Sequence, residues 1–143
     1  SIYGQSLIFN GDCERGIEIL EKAFELDPMN QDLVDKIIWG YYAMADYEVC
    51  IYHTNKIKKM GTNNWLLKIA SLGALMRYEE RDTEMNLFTD AHGKDELKLQ
   101  FDNLNFNNEE IIESTKNFIF NELESGNVVF NESKFQNFAI QNN

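Results

Sequence analysis

Apolar residues recur at steps of three and four along most of this chain, the spacing that gathers side chains onto one face of an α-helix. Ile17, Leu20, Ala23 and Phe24 form the first clear stripe, in a helix predicted from Asp12 to about Leu26. An earlier helix over residues 1 to 10 ends at the turn pair Asn10-Gly11. Asp27-Pro28 stops the second helix, because proline lacks an amide donor and steers the preceding residue away from helical dihedrals. Asn30 is placed to cap a third helix carrying Val34, Ile37, Ile38 and Tyr41, closed by a turn near Ala45 and Asp46. Cys50, Ile51, Thr54 and Ile57 mark a fourth, from Tyr47 to about Lys59, with Lys56, Lys58 and Lys59 at its negative end and Gly61 as its left-handed stop. A fifth starts at Asn63 or Asn64 and buries Leu66, Ile69, Leu72, Gly73 and Met76. A sixth and weaker one covers residues 82 to 92 and closes at Gly93.

Past Gly93 the period blurs. Leu97, Leu99, Phe101, Leu104 and Phe106 are interrupted by Asn and Asp, which compete for backbone hydrogen bonds, and a short helix or turn is expected there. Asn108 can cap a last clear helix from Glu109 to about Leu123, with Ile111, Ile112, Thr115, Ile119 and Leu123 facing inward. Its polar outer side, Glu109, Glu110, Glu113, Asn117 and Asn121, suits a lid over the end of a helical stack. Val128, Val129, Phe130, Phe135 and Phe138 then stand among asparagines, in a tail that either docks back or stays half ordered. The pattern therefore gives an all-α fold of about three helix hairpins plus a capping helix over residues 1–126, and an Asn-rich C-terminal tail over 127–143.

With 143 residues and 43% apolar content, the chain is large enough for one self-supporting core. Thirteen Lys and Arg against twenty-four Asp and Glu leave a formal charge of −11, which disfavours direct contact with nucleic acid or an acidic membrane and favours a basic or apolar partner. Cys13 and Cys50 are too few for a disulfide framework and read as core thiols. No run approaches the ~20 apolar residues of a spanning helix. The chain opens on Ser1 and Ile2 within a helix-like pattern, as a fragment of a longer protein would. Its compartment is open: cytoplasmic, or periplasmic if the segment belongs to a membrane-anchored sensor.

Gly4, Leu7, Gly16, Leu20, Ala23 and Pro28 together resemble the tetratricopeptide repeat, a helix hairpin of about 34 residues. A second unit from Gln31 keeps Tyr41 and Cys50, and a third matches at Leu72, Gly73 and Met76. The phrase from Phe24 to Asn30 is also similar to repeats attached to bacterial sensor regulators and adenylate cyclases. The resemblance implies a right-handed superhelix whose first helices line a concave groove. Carried over, the groove-facing sites are Gln5, Ile8 and Phe9, then Trp39, Tyr42 and Ala43, then Ala74, Arg77 and Tyr78. Gln5, Phe9, Trp39, Tyr42, Arg77 and Tyr78 are the anchors this implies, since Trp, Tyr and Arg most often carry binding energy. The alternative for the aromatics is plain core packing. With no lysine among the matching sites, a clamp for a terminal carboxylate is not expected.

Other chemistry leaves little trace. Cys50 and His53 lie three apart on one helix but have no second pair at ligand spacing, so no metal is expected. The run Glu79-Glu80-Arg81-Asp82 reads as a solvated helix start rather than paired catalytic carboxylates. Gly11 and Gly16 lack the lysine and strand of a phosphate cradle, and Asn131-Glu132-Ser133 fits a glycosylation triplet that chance supplies. The expected function is a protein-protein interaction or scaffold module with no catalysis and no cofactor, binding a protein or peptide segment. Two alternatives remain: a sensory domain of a bacterial transcriptional regulator or cyclase, which answers a small ligand or a neighbouring subunit, and a homodimer joined through the exposed first helix.

Overall fold

The computed structural model describes residues 13–104 and 108–140. The helix expected over residues 1 to 10, and with it Gln5, Ile8 and Phe9, lies outside the described residues. Eight helices follow: α1 Cys13–Leu26, α2 Gln31–Ala43, α3 Tyr47–Asn55, α4 Thr62–Ala74, α5 Tyr78–His92, α6 Lys94–Asp102, α7 Glu109–Phe120 and α8 Glu132–Ile140. Between α7 and α8 the chain forms an antiparallel hairpin, β1 Asn121–Glu124 with β2 Asn127–Phe130. Consecutive helices from α1 to α5 pack on one another, as hairpins joined by short turns do. The architecture is mostly helical, as the periodicity predicts.

Capping chemistry accounts for two of the boundaries directly. The Asn30 side-chain oxygen accepts from the Asp32 amide at 3.1 Å, and that of Asn108 from the Glu110 amide at 2.9 Å, each satisfying a donor the helix itself leaves open. Other boundaries differ from expectation. Helix α3 ends at Asn55, before its lysines, and Gly61 is extended (φ −69°, ψ 158°), so it precedes α4 rather than ending α3 in the left-handed region. The turns after α2 and α4 use left-handed residues that are not glycine, Ala45 (φ 61°) and Met76 (φ 59°), whereas Gly93 (φ 89°) closes α5 as expected. Met76 is thereby carried out of the buried stripe and is half exposed.

Helix α4 is the hub. Asn64, Leu66, Leu67, Ile69, Ala70, Ser71, Leu72 and Gly73 are all buried, because α2, α3, α5, α6 and α7 pack around it. A helix apolar on most sides belongs in an interior. Ile38, Tyr42, Cys50, Met85, Phe88, Leu97, Ile119 and Phe120 complete this core, while Ile17, Leu20, Leu33 and Ile37 form a smaller one between α1 and α2.

Helix α7 stops three residues earlier than its apolar spacing predicts. Leu123 is therefore not an inward helix residue but an exposed strand residue opposite Val128. Ser125 (φ 53°) and Gly126 (φ 83°) make the connecting turn, in which both central residues need positive φ. The 126/127 boundary falls at this turn, and the segment beyond it is a strand and a helix docked on α6 and α7. Asn131 of the glycosylation-like triplet caps α8, its Oδ1 accepting from the Lys134 amide at 2.9 Å.

Candidate interaction groove

The face formed by α2 and α4, where the resemblance puts a concave groove, is covered by the chain itself. Tyr42 of α2 is buried and its hydroxyl hydrogen-bonds Thr115 of α7. Burial pushes the Tyr42 phenol well above its ordinary range, with the Thr115 hydrogen bond acting in the opposite sense. Tyr47 adds an edge-on contact to Phe118, ring centroids 5.3 Å apart. Gly73 is what lets α4 and α7 approach. A β-carbon there would sit 1.9 Å from the Phe118 carbonyl oxygen. Tyr42 is thus an internal contact of the fold and is not presented to a partner.

Arg81 corrects the solvated reading of the Glu79–Asp82 run: it is fully buried. Its Nη1 donates to the carbonyls of Phe118 (2.8 Å) and Asn121 (2.5 Å), and its Nε donates to Asp82 at 3.0 Å. The guanidinium also lies over the ring of Tyr78, 4.6 Å from its centroid. A cation at the end of α7 meets the negative end of that helix and satisfies carbonyls left open where helix turns into strand. Tyr78, one of the expected anchors, is half buried in this arrangement. Trp39 is half buried against the main core.

Arg77 has a different setting. It precedes α5 at the rim of an open groove of about 360 Å³ that runs between α3 and α5 across α4. Ile51 and Leu72 form the floor, with Asn55, Lys68, Thr83 and Glu84 on the walls. Glu80 holds the Arg77 guanidinium through two hydrogen bonds, Nε to Oε1 at 3.1 Å and Nη2 to Oε2 at 2.6 Å, and Glu48 stands 3.8 Å away. That hydrogen bond raises Arg77 and lowers Glu80 from their ordinary values. One turn further along α5, Glu84 accepts from Trp65 Nε1 at 2.9 Å and from Lys68 at 3.0 Å, both on α4. Paired charges above an apolar floor can take a polypeptide segment by inserting one apolar side chain and exchanging partners along the rim. Arg77 and Tyr42 line separate cavities, so the expected anchors do not form one surface.

Cys50 is buried and its thiol is pushed up to about 11 by that burial, which leaves it neutral at ordinary pH. His53 stacks on Tyr41 at 5.5 Å and is lowered from its usual value, mainly by loss of solvent. Among the described residues no group of three or more His, Cys, Asp or Glu is placed to hold a metal ion, and no helix is long and apolar enough to cross a membrane. The Lys68–Glu84–Trp65 wall and the buried role of Arg81 escape sequence reasoning because each depends on which helix lies opposite. The nearest signal is Arg81 itself, four residues after Arg77 and four before Met85 on the inner stripe of α5. Searched against protein-family models, curated proteins and solved structures, the chain matches none.

Proposed function

We propose that this domain is a protein-interaction module of tetratricopeptide-like hairpins, without chemistry of its own, that receives a partner segment in the groove between α3 and α5. The observation that carries the reading is the groove: an apolar floor of Ile51 and Leu72 beside a wall of paired charge along α5, with Arg77 at the rim. The net charge of −11 and the exposed Glu79 and Glu80 beside the groove favour a partner segment with basic residues flanking an apolar one. A supporting observation is that the opposite face, formed by α2 and α4, already receives an amphipathic helix, α7, within the same chain.

A photo-reactive residue at Thr83, inside the groove, should crosslink a partner protein in cells that make this chain. The same residue at Asp90, further along α5, should not. Arg77→Glu should abolish the Thr83 product while leaving the thermal midpoint within a few degrees, because Arg77 is a rim residue. Equal crosslinking at both positions, or a product indifferent to Arg77→Glu, would remove the groove from the account.

A further inference from the structure

A second cleft, of about 270 Å³, opens between α5, α6 and α8, away from the α3–α5 groove. Its size is just below the ~300–1,000 Å³ usual for pockets that take small ligands. Leu97, Phe120 and Phe138 give it an apolar floor, and Asp82, Lys94 and Lys134 stand around it. In a chain that carries a charge of −11, a cleft with two ammonium groups and one carboxylate is a local reversal of sign. The carboxylate is already engaged: Asp82 lies 3.0 Å from the buried Arg81 and 3.5 Å from Lys134. Lys134 is further shared with Glu122 at 3.8 Å. Lys94, by contrast, forms no ion pair or hydrogen bond among the described residues, and its acidic neighbours Asp95 and Glu96 do not line the cleft. The cleft thus offers one uncommitted cation above an apolar bed.

An anion that fills this site must bring an apolar body for the floor and a head for Lys94. It must also tolerate Asp82 nearby, which penalises a doubly charged head such as a phosphate monoester more than a singly charged one. We propose that the α5–α6–α8 cleft binds a small amphipathic monocarboxylate, with its chain on Leu97, Phe120 and Phe138 and its carboxylate at Lys94, assisted by Lys134.

The test is titration of the full chain with octanoate, octanol and octyl phosphate, each kept below micelle-forming concentrations and followed by calorimetry and amide NMR shifts. Octanoate should bind saturably, with shifts concentrated at the residues of the cleft, and octanol and octyl phosphate should each bind at least fivefold more weakly. Lys94→Gln, at an exposed position, should preserve the thermal midpoint. It should weaken octanoate roughly tenfold, the scale of one charge-assisted hydrogen bond, and leave octanol unchanged. Absence of saturable octanoate binding, octanol or octyl phosphate binding as tightly, or indifference to Lys94→Gln would each overturn the proposal. None of these outcomes touches Thr83 or Arg77, so the reading of the α3–α5 groove stands or falls separately.

Discussion

Where α7 crosses α4, one contact is made by backbone: Gly73 admits the Phe118 carbonyl to a place no β-carbon could share, and Arg81 fixes the carbonyls of Phe118 and Asn121 from the neighbouring helix. Two residues on, at the same end of α7, Phe120 meets Phe138 at 5.1 Å, Phe135 at 5.2 Å and Phe130 at 6.4 Å, with Phe101 reaching Phe138 from α6. The first joint depends on where backbone atoms lie. The second depends on how much ring area is removed from water, and area can be refilled by a neighbour of similar size. The last turn of α7 is therefore held by geometry at one contact and by bulk at the next.

That contrast is open to direct attack by substitution. Gly73→Ala is expected to cost the most, about 3 kcal/mol, because the new carbon meets backbone that cannot rotate aside. Urea unfolding of the variant, monitored by circular dichroism, measures it. Arg81→Lys comes next at about 2 kcal/mol: one ammonium cannot bridge two carbonyls and a carboxylate as the planar guanidinium does. The same denaturation curves should show that this charge-preserving change fails to rescue. Phe135→Leu should cost the least, about 1 kcal/mol, since Phe120, Phe130 and Phe138 can close on the smaller side chain. If Phe135→Leu proves as damaging as Gly73→Ala, both joints are tightly fitted and the distinction between them fails.

The parts of this fold that sequence makes legible are those governed by neighbours along the chain. Asn30 and Asn108 announce their helices because a capping side chain bonds an amide two residues on. Asp27-Pro28 announces a stop for equally local reasons. Left-handed residues are harder to locate. Gly61 has the composition of a helix stop but is extended, while Ala45 and Met76 adopt positive φ without being glycine, held there by the packing of the hairpins they connect. The hairpin after α7 carried a readable sign in Ser125-Gly126 followed by Val128, Val129 and Phe130, overridden by an apolar spacing that continues the helix to Leu123. Of the expected anchors, Arg77 lines an open groove, whereas Tyr42 has the right residue type for binding and is instead spent on Thr115. Periodicity identifies the face of a helix but not the element that covers it.

The Tyr42–Thr115 bond joins positions 73 residues apart, so this stack is closed on itself in a way that open repeat arrays, held only between adjacent units, are not. Fraying from the α7 side cannot creep inward unit by unit, since loosening α7 uncovers α2 and α4 together. Such a protein should melt in a single step and fold more slowly than its helical content implies, because a long loop must shut before its reward arrives.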